Sequence, residues 1–294
     1  ASASAQDVAA GMLDENPDLS ICPEASQSFP GQTGLVVHDS TGVQIHPRFR
    51  QTASGQEGAS LRLSYADEAH GLTYAATFEV CDDTNMIVVQ AALASQTPVR
   101  LHWLAAPVMP ASQAATHMID YAGRWCGEFQ EIKTRWSAGI RLRENLTGRT
   151  GHEHFPALVV PELDGTYSHG GAYAFHYGWS GGHRMVAEEL PDGRRQVQFG
   201  TASGIENTAC TTFQTAPLYL TYSQHGINGC AVAFQRHARK HIVTFPDPSR
   251  PRPVHYNCWE SVYFDHNVPE LQDIATRAAA LGAERFVLDD GWFG

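Results

Sequence analysis

The sequence has 294 residues, 43% of them apolar and 17% charged, enough to close a sizeable core in one or two domains. A net charge of −11 argues against nucleic acid and anionic membrane surfaces as partners, because both select a basic face. That charge leaves neutral or cationic ligands as the ones to look for, and no apolar run approaches the roughly 18 residues that a membrane helix needs.

Taken in chain order, Ala1-Ser-Ala-Ser-Ala-Gln6 has neither the charged start nor the apolar centre of a secretory leader, and it lacks an initiator Met. The expectation is a chain cut at both ends, with an upstream leader left open. From Gly34 to about Phe245 the pattern is β. Ser60–Tyr65, Leu72–Phe78 and Met86–Ala91 alternate apolar with polar residues or are rich in β-branched ones, and Gly, Asp, Asn and Pro bound them. Tyr173–Tyr177, Gln196–Phe199, Leu218–Tyr222 and Gly229–Gln235 repeat the habit, the last running toward Lys240 with an end that reads equally as helix or strand. Many short strands at this spacing predict a large antiparallel β-sandwich.

Six cysteines lie scattered through the chain with no CxxC, which predicts reduced and mostly buried thiols. Two histidine pairs, His152-Glu-His154 and His237-x-x-x-His241, have spacings that metal ligands use. Neither brings a third ligand in a known pattern, so hydrogen-bonded or surface histidine is the preferred reading.

Phe245-Pro-Asp-Pro-Ser-Arg-Pro-Arg-Pro253 places four prolines in nine residues, a stiff connector that neither helix nor central strand tolerates. The expected organisation is therefore a sandwich over 1–245, a connector over 246–253 and a second domain over 254–294. In that last part, Val254–Trp259 predicts a short buried strand. Asn267 and Glu270 are spaced as a helix cap. Leu271, Ile274, Ala275, Ala278 and Leu281 recur at helical intervals, and Gly282 supplies a left-handed stop. Phe286–Leu288 completes a βαβ unit as a parallel strand.

Asp289 and Asp290 follow that strand, with Trp292 and Phe293 after them. Carboxylates beyond the C-terminal end of a parallel strand stand where α/β barrels keep their active sites. Two carboxylates accept hydrogen bonds from vicinal hydroxyls, and an aromatic face covers the C–H side of a sugar ring, which matches carbohydrate. A solvated Asp-Asp-Gly turn is the alternative. Adjacent residues point to opposite sides of a strand, whereas a retaining catalytic pair flanks one bond at about 5–5.5 Å, so this pair suits gripping a sugar rather than cleaving it. Trp259, at the end of the preceding strand, is either at the same mouth or a core aromatic. Asn257 and Glu260 have backbone or ligand as partners.

Tyr256-Asn-Cys-Trp-Glu-Ser-Val-Tyr-Phe-Asp265 followed by Leu281–Gly294 resembles the opening of the catalytic barrel of family 36 glycoside hydrolases, the microbial α-galactosidases. Upstream, Gly123-Arg-Trp-Cys-Gly-Glu-Phe129, Gly148-Arg-Thr-Gly-His-Glu-His-Phe-Pro156 and Tyr177-Gly-Trp-Ser-Gly-Gly182 resemble that family's Gly-Arg-Trp, Arg-Thr-Ser-His and Tyr-Ser-Gly-Asn segments. The resemblance implies a mainly β supersandwich followed by the first βαβ unit of a (β/α)8 TIM barrel, truncated here. It implies retaining hydrolysis of terminal α-D-galactosyl residues, as in melibiose and raffinose, with no metal or organic cofactor, in a homo-oligomer (tetramer) of the bacterial cytoplasm. Carried over by position, Trp259, Asp289 and Asp290 would be substrate-binding residues of the galactose subsite, and Arg124 and Trp125 would fix loops. Cys258 stands where the family usually has Thr, and Gly182 where it has Asn. The family nucleophile, in a Lys-Trp-Asp motif, and its acid/base aspartate have no counterpart in this sequence, so the chain is expected to be inactive alone. A raffinose-synthase-like galactosyltransferase and a non-catalytic carbohydrate-binding sandwich are the competing readings.

Overall fold

The computed structural model describes residues 19–27, 29–151, 153–202 and 208–293. The chain divides into two compact units, Ala1–His241 and Ile242–Gly294.

The described residues of the first unit form sixteen strands. They are β1 (Leu35–His38), β2 (Gln44–Ile45), β3 (Arg50–Glu57), β4 (Ser60–Asp67), β5 (Leu72–Cys81), β6 (Met86–Leu104), β7 (Met109–Pro110) and β8 (His117–Arg124). There follow β9 (Gly127–Arg135), β10 (Gly139–Asn145), β11 (Ala157–Pro161), β12 (Ala172–Tyr177), β13 (His183–Glu189), β14 (Arg195–Thr201), β15 (Cys210–Gln214) and β16 (Leu218–Ser223). Twelve of them form one sheet in the order β3-β4-β5-β6-β16-β12-β11-β8-β9, with β1, β2 and β15 attached through β6 and β1. A four-stranded sheet, β10-β13-β14-β7, is the second layer. All these pairings are antiparallel, as the alternating sequence predicts.

Two cores result. Leu158, Val160, Phe175, Tyr177 and Leu218 of the large sheet meet Met185, Ala187, Val197 and Phe199 of the small one. A second cluster, around Val37, Leu72, Tyr74, Leu93 and Leu104, fills the other end of the large sheet. Burying each large side chain of this kind stabilises by about 1.5–3 kcal/mol. β14 is buried on both faces, and its glutamines bond through both ends of Gln198 and the amide nitrogen of Gln196, whose oxygen has no partner among the described residues. Gln196 Nε2 donates to Glu188 Oε2 at 2.7 Å, Gln198 Nε2 to the Gln32 carbonyl at 2.8 Å, and Trp103 Nε1 to Gln198 Oε1 at 3.0 Å.

The expectation of a strand over Gly229–Gln235 is overturned: the segment lies within helix α1 (Gly226–His237), continued by a π-helical turn over Ala238–Ile242. The buried residues Gly226, Cys230, Ala233 and His237 fall three or four apart, a spacing that a strand cannot put on one face. Cys230 Sγ bonds the Ala172 carbonyl, and Ile227 and Phe234 pack with Ile119, Val159 and Ala174. The helix starts where it does because Gly226 has φ +67°, and a Cβ there would lie 2.3 Å from the Thr166 carbonyl oxygen. At the far end Lys240 Nζ and His241 Nε2 both reach Asp83 Oδ2, at 2.5 and 3.1 Å.

All six cysteines are free, but only Cys22, Cys230 and Cys258 are buried, and Cys126 and Cys210 are exposed. The expectation of mostly buried thiols holds for half of them. His152 lies outside the described residues. His237 bonds Thr84 Oγ1 through Nδ1 at 3.0 Å, so this histidine is hydrogen-bonded. Among the described residues no group of three or more His, Cys, Asp or Glu is arranged to hold a metal ion, and no helix is long and apolar enough to cross a membrane.

The second unit contains strand β17 (His255–Asn257), a short helix α2 (Trp259–Val262), helix α3 (Val268–Ala280) and strand β18 (Arg285–Val287). β17 and β18 pair in parallel, as a βαβ unit requires. Asn267 caps α3 by accepting the Glu270 N–H at 3.5 Å, with Pro269 in the first turn, and Gly282 takes φ +99° just past its end. Since that cap bond is long, Asn267→Ala is expected to cost only about 0.5–1 kcal/mol. Amide hydrogen exchange over Val268–Leu271 should then quicken a few-fold; unchanged rates there would show that the cap contributes nothing.

Candidate functional site

The site expected from sequence lies at the C-terminal edge of the β17–β18 pair. Parallel register sets His255 against Arg285, Tyr256 against Phe286 and Asn257 against Val287. Rings of Tyr256 and Phe286 stack at 5.7 Å, and the Cys258 N–H extends the ladder by donating to the Val287 carbonyl at 3.1 Å. Asn257 and the residues that follow Val287 thus leave the sheet side by side.

One amide links two of the expected site residues. Asn257 Oδ1 accepts the backbone N–H of Trp259 at 2.8 Å, and Asn257 Nδ2 donates to Asp289 Oδ2 at 2.5 Å. The other oxygen of Asp289 accepts the N–H of Asp290 at 2.8 Å. Those two donors, Asn257 first, hold the Asp289 carboxyl below the usual range and keep it ionised. The Asp290 carboxylate is exposed and makes no hydrogen bond or ion pair among the described residues.

Trp259 was expected at the end of the strand. The strand instead ends at Asn257, and Trp259 opens α2, because the side-chain bond from Asn257 turns the chain two residues earlier. Its ring is half-buried and meets Tyr263 and Phe264 edge-on, at 5.3 and 4.9 Å between centroids. Beyond the aspartates Gly291 has φ +101°, and Trp292 and Phe293 are 66% and 60% exposed. The edge thus offers a fixed carboxylate, a free carboxylate and exposed aromatic rings.

The upstream motifs lie in the first unit. Arg124 and Trp125 form the tip of the β8–β9 hairpin, where Arg124 Nη2 pairs with Glu153 Oε1 at 3.0 Å and Trp125 is 82% exposed, so neither belongs to the core of the first unit. Gly148–Pro156 and Tyr177–Gly182 are tied to each other. The Thr150 N–H donates to the Ser180 carbonyl at 2.6 Å, and its hydroxyl to the Trp179 carbonyl at 3.3 Å. The sequence alone leaves the partner of Asn257 open; the signal that fixes it is an Asn two residues before a helix start, an Asx-turn position.

Comparison with known proteins agrees along the chain. The sequence model of the glycosyl hydrolase family 36 N-terminal domain matches residues 2–205, and that of melibiase matches residues 212–294. An α-galactosidase of Escherichia coli is 35% identical over 97% of this chain and 40% of its own length. The α-galactosidase Mel36A of Lactobacillus acidophilus is 28% identical over 83% of this chain and 34% of its own length. The chain therefore spans about two fifths or less of the length of these relatives. Among solved structures, the galactosidase domain of an α-galactosidase–sucrose kinase superposes with a TM-score of 0.81 at 21% identity, over 98% of this chain and 43% of that one. A variant of a Geobacillus stearothermophilus α-galactosidase in complex with stachyose superposes at 0.80 and 21% identity, over 93% of this chain and 41% of that one. With the family 36 N-terminal model covering most of the first unit and the melibiase model running from its last strands through the βαβ unit, the chain belongs to glycoside hydrolase family 36.

Proposed function

We propose that the protein to which this chain belongs is a retaining α-galactosidase, and that Trp259, Asp289 and Asp290 line its galactose subsite. The observation that carries this reading is the asymmetric carboxylate pair: Asp289 is held by Asn257 and by the Asp290 N–H, while Asp290 is free to accept from a ligand. An ionised carboxylate with open acceptor positions binds vicinal hydroxyls through charge-assisted hydrogen bonds. The substrates are galactosyl oligosaccharides such as melibiose and raffinose; the solved relatives in complex with stachyose and raffinose support that class.

Asp289 and Asp290 grip the sugar and do not cleave it. Retaining hydrolysis needs a nucleophile and an acid/base on either side of one glycosidic bond, about 5–5.5 Å apart, and Asp289 already has one oxygen on Asn257 and the other on the Asp290 N–H. The nucleophile and the acid/base of the intact enzyme are two other aspartates, on later strands of the barrel. The domain plan that goes with this reading is a sandwich over 1–245, a connector over 246–253 and the opening of the catalytic barrel over 254–294. The intact enzyme is a homo-oligomer, a tetramer, of the bacterial cytoplasm.

Two measurements on the purified 294-residue chain test the proposal. It should give no turnover of a chromogenic α-galactoside; turnover abolished by Asp290→Ala would show that the pair is itself catalytic. Methyl α-D-galactoside should bind, and Asp290→Ala should weaken it about tenfold, the worth of one charge-assisted hydrogen bond. Unchanged affinity in that variant would remove Asp290 from the subsite.

A further inference from the structure

We propose that Asn257 is the positioning residue of this site: its side-chain amide sets the orientation of the Asp289 carboxylate and, with its other end, the start of the turn that carries Trp259. The inference rests on the galactose-subsite reading above for its purpose, but its geometry stands independently of it.

An amide has one acceptor end and one donor end, and the two are not interchangeable. At Asn257 the acceptor meets a backbone N–H that can only donate, and the donor meets a carboxylate that can only accept. A flipped amide would set oxygen against carboxylate and NH2 against N–H, losing both bonds at once. The orientation is thereby fixed by its partners. Both partners sit within two positions of Asn257 in the sheet. Trp259 is two residues on in sequence, and Asp289 is two residues beyond Val287, the register partner of Asn257. Only a parallel pairing in this register brings a residue at the end of β17 beside one past the end of β18.

The consequence is a division of labour between adjacent carboxylates. Asp289 has one oxygen on Asn257 and the other on the Asp290 N–H, so its plane is set before any ligand arrives. Asp290 has no such restraint among the described residues. An acceptor whose direction is already fixed loses no rotamer freedom on binding, which is how a supporting group contributes affinity without touching the ligand. Glutamine is a poor substitute for Asn257, because its extra methylene displaces the amide from both partners. Aspartate at 257 keeps the acceptor for the Trp259 N–H and sets a like charge against Asp289.

The test uses the full 294-residue chain with carbonyl-13C-labelled aspartate, following the Asp289 carboxyl through a pH titration by NMR. In the parent protein Asp289 should titrate below the ordinary carboxylate range. Asn257→Ala should move it up toward that range, and Asn257→Asp should move it further, while the α3 amide resonances stay in place as a report of folding. An Asp289 midpoint unmoved by Asn257→Ala overturns the proposal. A second arm adds methyl α-D-galactoside: Asn257→Ala should weaken its effect on the Asp290 carboxyl resonance about fivefold or more, of the order of one neutral hydrogen bond, and undiminished binding in that variant overturns the positioning role. If the sugar moves neither aspartate in the parent protein, the subsite reading falls, and the titration alone decides whether Asn257 orients Asp289.

Discussion

Asp120→Ala is expected to destabilise the first unit by about 3 kcal/mol, the low end for breaking a buried ion pair. Asp120 lies on β8 in the large sheet and is 1% exposed. Its two oxygens take Arg141 Nε at 2.6 Å and Arg143 Nε at 3.3 Å, both from β10 in the small sheet. The arginines are two residues apart and so share a face of that strand, which is why one carboxylate serves both. Removing it leaves two guanidinium groups side by side on β10 with no carboxylate opposite them. They are about a fifth exposed, so water relieves part of the cost and keeps the loss from the upper end of the range. Asp120→Asn, of nearly equal volume, separates charge from packing and should lose most of the same stability. Denaturant titration of both variants at neutral pH is the measurement. A loss under about 1 kcal/mol would mean that the pair is no better than a surface bridge.

The first unit should also weaken in mild acid, through His183. This residue opens β13, pairs in register with Thr201 and Asn145, and is fully buried. Neither ring nitrogen makes a hydrogen bond of ordinary geometry among the described residues. Burial lowers its pKa to about 4; the backbone of Gly181 offsets this in part, and His154 and His176 lower it further. Those two are themselves lowered by burial, with Arg143 and Arg141 adding to the effect at His154 while Glu153 and Asp120 oppose it. A base whose pKa falls on folding binds fewer protons folded than unfolded, so its contribution is complete above the unfolded value near 6.5. It is lost as pH falls from about 6.5 to about 4. The span of roughly 2.5 pH units corresponds to about 3 kcal/mol. His183→Leu should remove up to one proton's worth of slope, about 1.4 kcal/mol per pH unit, whatever it does to stability at pH 7.5. An unaltered slope between pH 6.5 and 4.5 would assign the acid sensitivity elsewhere.

Where structure follows from near neighbours, the sequence is a good guide. The Asn267 cap and the Gly282 stop of α3 are local hydrogen-bond and backbone chemistry, and both stand where the spacing puts them. The alternating strands β4, β5, β12 and β16 are equally plain, because each has one face on a core. Helix α1 is hard to read because Cys230-Ala-Val-Ala-Phe234 is a continuous apolar run, which periodicity alone does not assign to helix or strand. The tie was broken by the small residues, which let α1 lie close over β11 and β12. Asp120 and His183 carried no signal, since each matters through partners on another strand. The candidate site is proposed in the sequence from its aspartates, which follow a strand, and from Trp259, which the structure places at the start of α2 and not at a strand end. The link through Asn257 is not, since it exists only once β17 and β18 are in register.

β6 runs for nineteen residues and is hydrogen-bonded to β5, β16, β15 and β1, so it belongs to both cores of the first unit. Its partners come from positions 35–38 at one extreme and 218–223 at the other. A ribosome would have to deliver almost the whole unit before that central strand is covered on both edges. Until then its row of free amides is open to pairing with other chains. High contact order of this kind makes for slow folding. For the cell, the hazard of this sandwich lies in the interval between synthesis and closure, when a chaperone that shields one long strand would matter more than any gain in final stability.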